Sequence, residues 1–213
     1  MSDCSRTIHP DRCFLFDLGG VLIRLADRER AVAWSGGQLT APQIDRLWRG
    51  SPLVAGFEVG ACTEREFAAE MIRQYRLSCT AQELLDEFRE YVIEPWPGAR
   101  QMLQKLRNCG IVACLSNTNP LHWRKMEQEM AILDCFDRCF ASHLIKHRKP
   151  SPEAYRFVVD RLAVEPKNIL FFDDNQENVE AARQLGIRAC RVDGVPGLKT
   201  ALRQHCPEIA TRP

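Results

Sequence analysis

FLFDLGGVLI, residues 14–23, sets Phe14, Leu15 and Phe16 ahead of a single carboxylate, Asp17. Leu18, two glycines and a second apolar run, Val21-Leu22-Ile23, follow it. Cys13 to Asp17 reads as a buried strand. A carboxylate at the end of such a strand is costly unless something pairs with it. In an open parallel sheet, the carboxyl ends of the strands are where ligands bind. Gly19 and Gly20 let the backbone turn tightly just beyond the carboxylate. The reading of the whole chain depends on what else reaches that edge.

Outward from this point, short apolar runs alternate with amphipathic segments. The runs 111–117 (IVACLSN), 139–145 (CFASHLI), 168–174 (NILFFDD) and 188–193 (RACRVD) read as further strands. Their length and flanking polar residues suit strands covered on both faces. Between them, GARQMLQKLRNCG places Met102, Leu103 and Leu106 on one helical face and is expected to end at Gly110. SPEAYRFVVDRLAV opens with Ser151 and Pro152 and carries Tyr155, Val158, Val159 and Leu162 as its apolar stripe. NVEAARQLG groups Val179, Ala182 and Leu185 and stops at Gly186. Strand and helix in alternation imply an α/β fold with a parallel sheet and right-handed crossovers.

Residues 27–97 are different in kind. They are expected to hold no strand, but contain three capping boxes, Thr40/Gln43, Thr63/Glu66 and Thr80/Glu83, each ahead of an amphipathic run. This predicts a small helical bundle inserted after the first strand, with Glu94-Pro95-Trp96-Pro97-Gly98 as the return hinge. The expected division is 1–26 with 98–213 as the α/β core, and 27–97 as the insertion.

Whole-chain properties narrow the function. The 213 residues are 45% hydrophobic, enough for a sizeable core. Lys and Arg number 29 against 28 Asp and Glu, so there is no basic field for nucleic acid or an anionic membrane. No run approaches the roughly 18–20 apolar residues of a membrane span, and the polar N-terminus does not read as a signal peptide. Ten cysteines contain no Cys-x-x-Cys pair. Several sit in apolar runs, as expected for buried, reduced thiols in a cytoplasmic protein. No exposed apolar helix stands out, and a monomer is expected. In the run Lys146-His147-Arg148-Lys149, the first three read as surface charges.

The strand ends carry the chemistry. The first ends in Asp17, the second in Ser116-Asn117-Thr118-Asn119, the third leads to Lys149-Pro150, and the fourth ends in Asp173-Asp174-Asn175. An ammonium and hydroxyl or amide donors can neutralise a phosphate monoester. Carboxylates gathered at one edge call for a hard cation, and Mg²⁺ fits. Asp17 is then placed to attack phosphorus. Each residue also has a plainer reading: Ser116 and Asn117 as caps of the next helix, Asp173 and Asp174 as caps of the helix after them.

With these residues in order, the chain resembles the haloacid dehalogenase superfamily, in its phosphatase branch with a helical cap inserted after the first motif. FDLGGVL, LSNTN, RKP and FFDDNQEN resemble its four motifs, and the likeness spans nearly the whole chain. LSNTNPLH and FFDDNQENVEAARQLGI further resemble bacterial phosphatases acting on α-D-glucose 1-phosphate. The resemblance implies a Rossmann-like core, a small phosphorylated substrate and Mg²⁺. It implies Asp17 as nucleophile and metal ligand, Ser116 and Asn117 on the phosphoryl group, and Lys149 neutralising both. It implies Asp174 and the Gly19 backbone on the metal, with Asp173 acting through water. One position departs from the pattern. Most relatives have an acid–base aspartate two residues after the nucleophile; here it is Gly19. General acid–base help is worth about 10²–10⁴ in rate, so the glycine leaves two outcomes. Either the leaving group needs little protonation, as the hemiacetal oxygen of a sugar 1-phosphate does, or the chain only binds phosphosugars. A metal-independent 2-haloacid dehalogenase is the third alternative. His122, a few residues after the second motif, is a candidate stand-in for the acid, with an ordinary helical histidine as the plainer reading. Phe57-Glu58 is placed to reach the site from the insertion.

Overall fold

The computed structural model describes residues 11–26, 32–33, 35–37 and 39–206, except the side chains of residues 45 and 47–49. Cys4 and the N-terminal segment lie outside these residues. The first half runs β1 (Cys13–Phe16), β2 (Ile23–Leu25), α1 (Ala41–Gly50), α2 (Pro52–Glu58), α3 (Glu64–Tyr75), α4 (Ala81–Arg89) and β3 (Val92–Pro95). The second half runs α5 (Ala99–Leu106), β4 (Ile111–Ser116), α6 (Pro120–Glu129), β5 (Arg138–Ala141), α7 (Ser142–Ile145) and α8 (Pro152–Leu162). It ends with β6 (Ile169–Asp173), α9 (Gln176–Gln184), β7 (Arg188–Arg191) and α10 (Gly194–His205).

Five strands form one sheet in the order β5-β4-β1-β6-β7, and every pairing in it is parallel. The order places β1 at the centre, between β4 and β6, so the strand order reverses around it. Such a reversal opens a crevice at the carboxyl edge, and Asp17 stands at that point. Alternate residues of each strand feed two cores. Phe14, Phe16, Val112, Cys114, Leu170 and Phe172 face α5 and α10. Cys13, Leu15, Ala113, Leu115, Ile169 and Phe171 face α8 and α9. The near-continuous apolar runs in the sequence arise because both faces are covered. Each fully buried Leu or Phe stabilises the fold by about 1.5–3 kcal/mol.

Helices α1–α4 lie between β2 and β3 in the chain. Two of the predicted capping boxes close in both directions. Thr63 N–H donates to Glu66 Oε2 at 2.8 Å while Glu66 N–H donates to Thr63 Oγ1 at 3.2 Å, and Thr80 and Glu83 repeat the pattern. At the third, Gln43 Oε1 accepts from Thr40 N–H at 2.8 Å. Val54, Phe57, Phe67 and Phe88 form the core of this layer, and Leu121 of α6 joins it from below. Among the described residues, no helix is long and apolar enough to cross a membrane.

Several expectations are corrected. Residues 27–97 contain a strand after all: β3 pairs antiparallel with β2, Ile23 opposite Pro95 and Arg24 opposite Glu94. Its four residues have no strong pattern of their own; the strand exists because the chain must leave and re-enter the sheet at one place. The strand expected to reach 145 ends at Ala141. Ser142 Oγ accepts from Thr118 N–H and donates to Thr118 O, both at 2.9 Å, and the chain turns there into α7. Cys139 is exposed rather than buried. The helix expected to stop at Gly110 ends at Leu106.

Gly110 has another purpose: a Cβ there would lie 2.7 Å from the backbone oxygen of Arg12, where β1 and β4 begin. Gly110→Ala is therefore expected to destabilise the fold by about 1–3 kcal/mol, the usual cost of overpacking. Urea denaturation should show a lower midpoint with an unchanged slope; an unaltered midpoint would mean the two backbones can separate freely.

Candidate active site

The turn after β1 aims the backbone back toward the sheet edge. Leu18 O accepts from the N–H groups of Val21, Leu22 and Ile23 at 3.3, 2.8 and 2.8 Å. Gly20 sits at φ +75°, and a Cβ there would lie 2.8 Å from Asp174 Oδ2. Only glycine satisfies both the conformation and the contact. The Gly19 carbonyl takes no part in these turn bonds, and Gly19 lines the cavity at the sheet edge.

Asp17 keeps its backbone in the sheet, its N–H donating to Phe172 O at 2.8 Å. Its side chain meets Lys149, whose Nζ lies 2.9 Å from Asp17 Oδ1 and 2.6 Å from Asp173 Oδ2. Lys149 is 1% exposed. Its backbone is clamped by one side chain: Asn117 Nδ2 donates to Lys149 O, and Lys149 N–H donates to Asn117 Oδ1, both at 2.8 Å. Asp173 is saturated by donors. Besides Lys149, its Oδ1 accepts from Asn175 N–H at 2.9 Å and Asn178 Nδ2 at 3.0 Å. Asp174, next to it, is half-buried above Gly20. Ser116, buried at the end of β4, lines the same cavity of about 580 Å³, as do Arg46 and Tyr91.

Asp17, Asp173 and Asp174 each offer a carboxylate oxygen within 4.8 Å of the others. Lys149 pairs with two of the three, Asp17 and Asp173. The donor set is all oxygen, and this suits a hard divalent cation such as Mg²⁺ rather than zinc. Without a cation, the Asp17 carboxyl is pushed up to about 7. Burial is the main cause; Asp173 and Asp174 add to it, against the pull of Lys149. For Lys149, burial works against the charge, but Asp17 and Asp173 outweigh it and hold the ammonium above its ordinary range.

The structure thus brings together Asp17, Gly19, Ser116, Asn117, Lys149, Asp173 and Asp174, the residues to which the resemblance gives a role on the phosphate or the metal. It refines one of them: the Asn117 side chain is committed to Lys149. His122 does not stand in for an acid at the site. Its Nε2 donates to Phe88 O at 2.7 Å, which leaves Nδ1 to accept from Asn119 Nδ2 at 3.0 Å. Both nitrogens of the neutral ring are spent, and burial pulls its pKa down to about 4. Position 19 has an apolar neighbour: a Cβ there would lie 3.4 Å from both Leu25 methyl carbons. Arg148 is not a plain surface charge. Its Nε lies 2.9 Å from Glu58 Oε2 at the cavity wall. Nothing in the run KHRK separates Arg148 from its neighbours; the sequence signal was only its place beside Lys149.

Comparison with known proteins places this geometry. The family model for haloacid dehalogenase-like hydrolases matches residues 12–186. A phosphatase of Mycobacterium tuberculosis is 34% identical over 60% of this chain and 60% of its own length. An (S)-2-haloacid dehalogenase of Burkholderia cepacia is 30% identical over 52% of this chain and 47% of its own. The chain therefore spans about half to three-fifths of these two relatives. A phosphorylated carbohydrates phosphatase of Thermotoga maritima is 28% identical over 85% of this chain and 83% of its own. Among solved structures, a HAD-family enzyme of Bacteroides thetaiotaomicron, in complex with magnesium and inorganic phosphate, superposes with a TM-score of 0.73. It is 26% identical and the match covers 85% of this chain and 94% of that one.

Asn117→Ala would leave the Lys149 N–H and C=O without partners. The loss is expected to be about 1–3 kcal/mol, a fall of about 2–4 °C in Tm for each kcal/mol in a chain of this size. An unchanged Tm would show that the Lys149 backbone does not depend on this clamp.

Proposed function

The chain belongs to the haloacid dehalogenase-like hydrolase family, and we propose that it is a phosphoric monoester hydrolase. In this reading it releases phosphate from a small sugar phosphate, such as glucose 1-phosphate, with Mg²⁺ held by Asp17, the Gly19 carbonyl and Asp174. Helices α1–α4 form the cap over the site, and the enzyme acts as a cytoplasmic monomer. The observation that carries the reading is the cluster of three carboxylates within 4.8 Å of one another, two of which, Asp17 and Asp173, pair with Lys149. A phosphate dianion is repelled by carboxylates at this edge, and a divalent cation held among them offsets that repulsion. A 2-haloacid has one negative charge and a leaving halide, and its displacement makes no use of Asp174.

The steps follow from the chain's own groups. The carboxylate of Asp17 attacks phosphorus, the ester P–O bond breaks, and the sugar oxygen leaves as an alkoxide that takes its proton from water. Water then attacks the phosphorus of the aspartyl-phosphate, inorganic phosphate departs, and Asp17 is regenerated. Lys149 favours the ionised form of Asp17 against its burial and faces the phosphoryl oxygens. The Ser116 hydroxyl and the Asn117 backbone donate to the same oxygens, because the Asn117 side chain is occupied. Asp173 holds Lys149 in place. Mg²⁺, when bound, supplies electrostatic stabilisation of the transferring group. Likeness to the Thermotoga phosphatase supports a carbohydrate ester.

Phosphate release from a panel of phosphomonoesters tests this. Release should require Mg²⁺, disappear with EDTA and fall to background in Asp17→Asn. Release indifferent to EDTA would sink the proposal, as would metal-free halide release from 2-chloropropionate.

Gly19 gives a second test. A Cβ there meets only ordinary contact with Leu25. Gly19→Asp should raise turnover of glucose 6-phosphate, with its poor alkoxide leaving group, by up to about 10²-fold, and glucose 1-phosphate much less. Equal gains on both esters would mean that leaving-group protonation is not what the glycine removed.

A further inference from the structure

Cys114 lies in β4 and Cys139 in β5, and the parallel register of the two strands sets them directly opposite each other. Side chains opposed in this way point to the same face of the sheet, and neighbouring strands run about 4.7–4.9 Å apart. That spacing is within the Cα separations a disulfide spans, about 4.4–6.8 Å. Both residues are free thiols. Among the described residues, no other two cysteines are opposed in the sheet.

The two thiols differ as an attacking and a resolving sulfur must. Cys114 is fully buried, whereas Cys139, on the edge strand, is exposed. The Cys114 thiol donates a hydrogen bond to the Cys139 sulfur, and this holds the Cys139 thiol below its ordinary range against burial and Asp134. Burial above all holds the Cys114 thiol well above its own. The thiolate is the form that oxidants attack, so the accessible sulfur is also the one that ionises first. The pair has two routes to the phosphate-binding end of the sheet. Two residues beyond Cys114, Ser116 ends β4 and lines the cavity. Three residues beyond Cys139, Ser142 is bonded in both directions to Thr118, next to Asn117.

We propose that Cys139 and Cys114 are a reversible oxidation site, at which a hydroperoxide closes a disulfide between β5 and β4 and slows the active site. The Cys139 thiolate attacks the peroxide: an S–O bond forms, the O–O bond breaks, and hydroxide leaves and becomes water. Cys114 then attacks the sulfur of the Cys139 sulfenic acid. The S–S bond forms, the S–O bond breaks, and the departing hydroxide takes the Cys114 proton as a second water. Two thiols are oxidised by two electrons and one peroxide is reduced. A disulfide brings its Cβ atoms to about 3.5–4.5 Å, closer than the strands stand. The four-residue β5, with a neighbour on one side alone, is drawn toward β4. A bond strained in this way is readily reduced by a thiol. The altered spacing reaches Ser116, Asn117 and Thr118 from both strands, and the slowing rests on the phosphatase reading.

The test treats wild type, Cys139→Ser and Cys114→Ala with hydrogen peroxide and reads both the thiols and phosphate release. In wild type, mass spectrometry of non-reduced tryptic peptides should link residues 108–124 to residues 139–146, with fragmentation placing the bond on Cys114 rather than Cys109. Phosphate release with Mg²⁺ should fall by about tenfold or more, since a misplacement of about 1 Å can cost about 10²-fold, and dithiothreitol should restore it. Cys139→Ser should match wild type before treatment and keep its activity afterwards. Cys114→Ala should stop at the sulfenic acid, which dimedone traps on Cys139. Treated wild type without the peptide link overturns the proposal, as does an equal loss of activity in Cys139→Ser. A link that leaves turnover unchanged overturns its control of the active site. The disulfide is read without reference to catalysis, so a protein that forms the link and releases phosphate from no ester overturns the phosphatase reading and leaves the oxidation site supported.

Discussion

Lys149 is an ammonium taken almost wholly out of water, and the site is organised around making that tolerable. An unpaired buried charge costs several kcal/mol. The cost is offset by Asp17 at 2.9 Å and Asp173 at 2.6 Å, which arrive from the ends of β1 and β6. Asn117, just past β4, fixes the Lys149 backbone. One residue thus ties together the ends of the three central strands. A shift of any of them by one residue would turn these side chains to the opposite face. Register and site geometry are therefore the same constraint.

The two carboxylates at the end of β6 are held differently. Asp174 is near enough to add to the repulsion on Asp17 but has no place on Lys149. Asp173, by contrast, is saturated by Lys149, Asn175 and Asn178. Two adjacent carboxylates therefore differ in kind: one completes the buried ion pair with Lys149, the other lines the cavity. The same contrast explains why Asp173 is fully buried and Asp174 is not.

What was legible in the sequence was whatever is written locally. The five parallel strands, the capping boxes and the strand-end polar residues show because period, cap and turn chemistry act over a few positions. What escaped depends on distant partners. The strand Val92–Pro95 exists because Ile23–Leu25 pairs with it. Gly110 is set by the Arg12 carbonyl 98 positions away in neither helix nor cap. An amide at position 117 suits a phosphate as well as it suits the Lys149 backbone, and only the fold shows which its side chain takes. Arg148 reads as one charge in a basic run until the fold turns it toward Glu58.

Electrostatics links the glycine at 19 to the nucleophile two residues before it. Asp17 must be ionised to attack, yet burial, Asp173 and Asp174 already push its carboxyl up to about 7. An aspartate at 19 would add a further negative charge beside these and raise it further. In its place the structure puts the methyl groups of Leu25, which add no charge. Losing the acid therefore removes a source of protonation for the leaving oxygen and lightens the load on the nucleophile at the same time. The exchange is favourable only where the leaving oxygen is acidic enough to depart with little help. It also hands control of the leaving group to whatever else lines the cavity.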